Sequence, residues 1–156
     1  TFRLIALDAL AAAKDNLPAA KEIIDDRMFL TPKIAAHALS PENTSWAQRL
    51  LGRYGDKAIE LVNESSQDQQ HNLDATEFSL AECRWAIKYE AVEHLDDLLL
   101  RRTRLGMCLP NGGSNLYPAL KDLFLSYQSW DEERWQQEVN RYETIWTKYY
   151  SLPSNA

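Results

Sequence analysis

Three arginines and a threonine follow three leucines in "DDLLLRRTRLGMCLP", Asp96 to Pro110. Guanidinium groups at such close spacing can do one of two things: grip a phosphate, or pair bidentately with carboxylates and lock helices or domains together. On a helix advancing 100° per residue, Arg101 and Arg104 project to one side and Arg102 to another. All three therefore do not converge on one small anion from a single face. Carboxylates are close at hand in Glu90, Glu93, Asp96 and Asp97. Ion pairing within the molecule or between domains is favoured over phosphate binding, with Glu90 as the favoured partner. A buried pair broken by alanine costs roughly 3–5 kcal/mol, an exposed one under about 1 kcal/mol.

Other candidates for chemistry are weaker. His37, His71 and His94 lack HxxxH or HExxH spacing, and no cysteine lies at metal-ligand spacing from them, so no metal site is expected. Cys83 and Cys108 have no CxxC spacing and read as reduced thiols of a cytoplasmic protein. No GxSxG, P-loop or GxGxxG occurs; "NGGSN" is a turn, and no catalytic residue is assigned.

The elements that position these residues are helical. The chain has 156 residues with only five glycines and six prolines among abundant helix formers. A domain of this length buries roughly 68–70% of its unfolded surface and folds without staples. A net charge of −6, from 23 acidic and 17 basic residues, argues against nucleic acid or an anionic membrane as the main partner. "TFRLIALDALAAAK" resembles a signal peptide only faintly, because Asp8 interrupts it, and it is shorter than the ~20 apolar residues that span a bilayer. Phe2–Lys14 reads as a helix apolar nearly all round, which requires burial on several sides.

Asn16-Leu17-Pro18 ends that helix, and Pro18 opens a short one through Ile24. Residues 27–43 read as a linker with a small Ala-rich turn around Ile34–Leu39. Thr44 or Ser45 caps a helix ending at Gly52 or Gly55, Asp56–Asn63 forms another, and Ser65–Thr76 is a polar loop. "SLAE" (Ser79–Glu82) and "SWDE" (Ser129–Glu132) read as capping boxes, and Gly106 as the stop of the arginine-bearing helix. Trp135, Val139, Tyr142, Trp146 and Tyr149 recur at helical spacing as a core stripe. The expectation is an all-α fold, an irregular bundle of about six to eight helices with no sheet.

"ECRWAIKYEAVEHLDDLLLRRTRLGMCL", Glu82–Leu109, resembles the signature of the C-terminal domain of FAD-dependent glycerol-3-phosphate dehydrogenases and alpha-glycerophosphate oxidases. "RLLGRYGDKA", Arg49–Ala58, is similar to a second segment of that family. "TFR" with its Ala-rich helix resembles the stretch just after the family's Gly-Lys-x-Thr-Thr-(Tyr/Phe)-Arg loop. The three occur in the family's order and cover most of the chain.

The resemblance implies a non-catalytic helical cap, 44–156, preceded by the linker 27–43 and by a segment 1–26 that belongs with a FAD-binding domain. It implies that the parent enzyme oxidises glycerol 3-phosphate to dihydroxyacetone phosphate and passes electrons to quinone or, in some relatives, oxygen. FAD would be held outside this chain, with Thr1 at most adjacent to the flavin loop. Glu90, Arg101, Arg102 and Arg104 would form structural ion pairs or a domain interface. The implied partners are the FAD-binding domain and, as a candidate, a second copy of the chain, with no nucleic acid. The parent would lie peripherally on the cytoplasmic face of the inner membrane. A free-standing helical adaptor and a phosphate-ester binder are the alternatives.

Overall fold

The computed structural model describes residues 2–13, 34–73 and 76–152. The chain falls into two compact units, Thr1–Thr31 and Pro32–Ala156. In the first, α1 (Phe2–Ala13) leaves Phe2, Leu4, Ile5 and Leu10 exposed. The turn expected at 16–18, the short helix through Ile24, and Thr1 lie outside the described residues.

The second unit is all-α. Its elements are α2 (Ala36–Leu39), α3 (Thr44–Tyr54), α4 (Lys57–Asn63), α5 (Leu80–Tyr89), α6 (Leu105–Cys108), α7 (Tyr117–Tyr127) and α8 (Glu132–Tyr149). Short helical turns at Gln67–Gln70, Asp97–Arg102 and Pro110–Leu116 join them. Among the described residues the only β-type pairing is an isolated antiparallel bridge, Asn72 to Ser79.

The centre of this unit is α5. Ala81 through Ile87 are all buried, although Glu82 and Arg84 are charged. Ala81 and Trp85 join a cluster with Trp46, Leu50, Leu51, Ala58 and Leu61, against which Ile34, Ala36 and Leu39 also pack. Cys83, Ala86 and Ile87 join a larger cluster built from Leu98, Leu99, Leu105, Leu120, Phe124, Trp135 and Tyr142. The α5 start is as the sequence indicates: Ser79 and Glu82 form a reciprocal capping box.

Three expected boundaries are corrected. The N-cap of α3 is Asn43, whose side chain accepts from Trp46 N at 3.2 Å; Ser45 donates to that same amide oxygen. The cap of α8 is Asp131, accepting from Arg134 N at 2.8 Å, while Ser129 adopts φ 54° and so lies outside the helix entry. Gln128 fixes that entry, its side-chain amide donating to the Ile87 and Val92 carbonyls, both at 2.9 Å. The expected core stripe of α8 is buried at Trp135, Val139 and Tyr142, half-buried at Trp146, and ends there, since Tyr149 is 67% exposed.

The third correction concerns the arginine-bearing helix, which is a π-turn, Asp97–Arg102, closed by Thr103 N donating to Leu98 O five residues back at 3.0 Å. Its wider winding buries Leu98, Leu99 and Leu100 in succession. Arg104, in the left-handed region at φ 59°, stops it, not Gly106. Gly106 sits inside α6, where a Cβ would overlap the Tyr142 hydroxyl and lie 3.1 Å from Leu100 Cδ2. Tyr142 has no room to yield, because its hydroxyl donates to Gly112 O at 2.7 Å and the residue is buried. Gly106→Ala is therefore expected to destabilise the fold by about 1–3 kcal/mol, the cost of overpacking, read as a lowered urea midpoint.

Candidate functional site

The residues singled out in the sequence separate into two places. Arg101 pairs with Asp96 and with Asp97 Oδ1, the latter at 2.7 Å, and Asp96 also accepts from Arg141 on α8. The Asp96 side chain is 2% exposed, whereas that of Arg101 is 57% exposed. Burial pushes the Asp96 carboxyl up, but hydrogen bonds from Arg101 and Arg141 outweigh it and hold the group below its ordinary value. Asp97 Oδ2 meanwhile accepts from the His94 and Glu93 backbone N–H groups, at 2.9 and 3.2 Å, satisfying donors at the turn's start.

Arg102 and Glu90 do meet, but through the main chain: Arg102 Nε donates to the Glu90 carbonyl at 2.7 Å. Glu90 is the C-cap of α5, so its carbonyl lacks a helical partner and the guanidinium supplies one. The expected pairing with the Glu90 carboxylate gives way to this carbonyl contact. The Arg102 carbonyl in turn accepts from Arg53 Nη2 at 2.7 Å, tying the end of the π-turn to α3. Arg104 is exposed at the start of α6.

Several further charged contacts combine local partners with partners far apart in the chain, and the distant ones have no signal in the sequence. Glu82 is fully buried and pairs with Arg49 of α3. It also accepts from Ser79 N at 2.9 Å, Ser79 Oγ at 3.1 Å and the Tyr54 hydroxyl at 3.4 Å. Burial, followed by the Glu82 charge, raises the pKa of the Tyr54 hydroxyl and of the Cys83 thiol well above their ordinary range. Glu64 accepts from Lys88 at 2.7 Å, Tyr89 at 2.8 Å and buried Arg84 at 3.0 Å. Those three hydrogen bonds hold its carboxyl at about 2, below an ordinary 4.5. Glu138 of α8, also buried, binds His94 Nδ1 at 2.9 Å, Leu95 N at 3.2 Å and Arg134 at 2.7 Å.

Chemically this is a framework. Its carboxylates face guanidinium, ammonium, imidazole or backbone N–H groups, and the contacts of Arg49, Arg84, Lys88 and Arg141 each join one element to another. Among the described residues no group of His, Cys, Asp and Glu is arranged to hold a metal ion. Cys83 and Cys108 are free thiols, Cys83 buried and Cys108 exposed. Beside the framework, two adjoining clefts of about 360 and 550 Å³ run along α3 and share Arg49 and Glu77. Among the described residues no helix is long and apolar enough to cross a membrane.

An all-helical domain whose buried charges are spent on joining its own helices is the class that this geometry defines. The chain belongs to the family of the C-terminal domain of alpha-glycerophosphate oxidase, whose family model matches residues 12–135. It is 28% identical over 156 positions to the glycerol-3-phosphate dehydrogenase of Mycobacterium leprae (strain TN), covering 91% of this chain and 27% of that protein. The chain thus spans about a quarter of the length of that curated relative. No solved structure matches it.

Two outcomes are expected of the framework. Arg49→Ala strands the Glu82 carboxylate in the core and should cost about 3 kcal/mol in urea unfolding, whereas Arg101→Ala, at an exposed guanidinium, should cost under about 1 kcal/mol. The acid limb carries a second. Because the folded carboxyl of Glu64 lies below its unfolded value, its contribution is present above pH 4.5 and is lost as the pH falls towards 2. Glu64→Gln should flatten the fall of the urea midpoint across that window.

Proposed function

We propose that this chain is the non-catalytic helical domain of an FAD-dependent glycerol-3-phosphate dehydrogenase. The observation that carries this reading is the family match over residues 12–135, taken with a charged framework committed to internal helix contacts. In the parent enzyme, glycerol 3-phosphate is oxidised to dihydroxyacetone phosphate, and electrons pass on to a quinone. FAD, when bound, supplies the two-electron acceptor. No step of that oxidation is assigned to a residue of this chain.

The domain's task is to pack against the FAD-binding domain and stabilise it. In the parent, the exposed apolar residues of α1, Phe2, Leu4, Ile5 and Leu10, are buried against that domain. Arg101 serves as an internal strut, Glu90 and Arg102 close the end of α5, and Arg104 faces outward to the domain interface. Any membrane attachment belongs to the parent, peripherally on the cytoplasmic face. The free-standing adaptor is not favoured, since the matched family is defined as one domain of a larger enzyme.

Expressed alone, the chain is expected to be colourless and to reduce no electron-accepting dye in the presence of glycerol 3-phosphate. Expression together with the coding sequence upstream of Thr1 should yield a yellow protein that reduces the dye. Flavin and activity in the isolated chain would sink the non-catalytic assignment; a longer protein without flavin would sink the family activity.

A further inference from the structure

The two clefts beside α3 form one groove. Ser45, Gln48, Arg49, Gly52 and Arg53 line it at intervals of three, one, three and one, the spacing of a single helical face. From Ser45 to Arg53 this floor runs ~12 Å, the length of about four residues of extended chain. Asn72 and Glu77 stand opposite in one cleft, Glu77 and Phe78 in the other.

Three features point to an occupant and to its chemistry. Trp46 and Arg49 line the groove, and their buried N–H donors, Trp46 Nε1 and Arg49 Nε, have no hydrogen-bond partner among the described residues. Such donors are costly when left open, so they call for an acceptor. Next, among the described residues Arg53 is hydrogen-bonded to neutral groups, the Arg102 carbonyl and the Tyr54 hydroxyl, and Arg102 likewise to the Glu90 carbonyl. Their charges are therefore not cancelled by those contacts, and Arg49 and Arg53 lie over the Phe78 ring at 5.1 and 4.9 Å, fixed in direction. Among the described lining residues Glu77 is the acidic one, and Arg49 is matched by Glu82. Finally, a Cβ on Gly52 would meet nothing within 4 Å, so a partner backbone can approach the floor closely.

We infer that this groove docks an extended acidic segment of polypeptide. Carbonyl groups of the segment accept from the Trp46 and Arg49 N–H donors, its carboxylate lies at Arg53, and its main chain passes over Gly52. Resting on the function proposed above, the segment belongs to the FAD-binding domain of the same enzyme.

The test starts with the chain itself and a blocked oligoglutamate peptide, followed by NMR at the Trp46 indole N–H and the Arg49 Nε–H. Both resonances are expected to shift, with an affinity that falls as salt rises. Gly52→Leu introduces a better helix former into open space, so the melting temperature should hold while affinity drops about tenfold or more. Absence of a shift at millimolar peptide, an equal response to inorganic phosphate or to oligolysine, or undiminished binding by Gly52→Leu would each overturn the groove assignment.

The occupant's identity is tested separately in the longer flavin-containing enzyme, where Gly52→Leu should lower the melting temperature that it leaves unchanged in the chain alone. An unchanged melting temperature there overturns the assignment to the FAD-binding domain. A longer protein lacking flavin overturns the proposed function and leaves the peptide result standing.

Discussion

Everything in the second unit depends on one carboxylate that has no access to water. Glu82 is fully buried, which is tolerable only because its charge is matched and its oxygens are hydrogen-bonded. The same group closes the N-terminus of α5, through Ser79, and holds α3 through Arg49. It thus sets both where the central helix begins and which neighbour it lies against. Since α5 supplies apolar side chains to both hydrophobic clusters, the placement of each cluster depends on that contact.

Other paired acids, Asp96 and Glu138 buried and Glu64 exposed, repeat the principle. Asp96 joins the π-turn to α8 through Arg141, Glu138 joins α8 back to His94 and Leu95, and Glu64 joins the end of α4 to α5 through Arg84 and Lys88. A hydrophobic replacement of matching volume would often serve stability as well. What the charged version adds is selection of one arrangement, since a misplaced helix would leave a buried charge unmatched. A domain so constrained presents a fixed surface.

The all-α class and most helix limits were legible because their signals are local. "SLAE" carries its two capping partners within four residues, and the turn region around Gly112 and Gly113 announces its left-handed backbone by composition. "SWDE" misled because the same local signal is overridden by Gln128, whose bonds to Ile87 and Val92 lie some forty positions away in sequence. The π-turn was illegible for a similar reason: three leucines in succession do not say whether a helix is wound normally or widened to bury them all. Of the candidate residues, Arg101 has its carboxylates within five positions, in reach of sequence reasoning. Arg141 finds Asp96, and Glu138 finds His94 and Leu95, more than forty positions away, where no spacing rule connects them; the i,i+4 pair of Arg134 with Glu138 is the local exception. The groove along α3 is legible only as a helical face, because its openness depends on what does not stand over Gly52.

The double role of α5 also governs how this domain can change over evolutionary time. A cut on either side of Leu80–Tyr89 strips buried side chains from one of the two clusters, Ala81 and Trp85 from one or Cys83, Ala86 and Ile87 from the other, which favours inheritance, fusion or exchange of the second unit as a whole. New sequence can enter only where little is buried. Ser65–Asn72 offers such a place, a polar stretch with no buried residue between α4 and α5. Length variation among relatives should gather there, while the span from Ser79 to Tyr142 keeps its length.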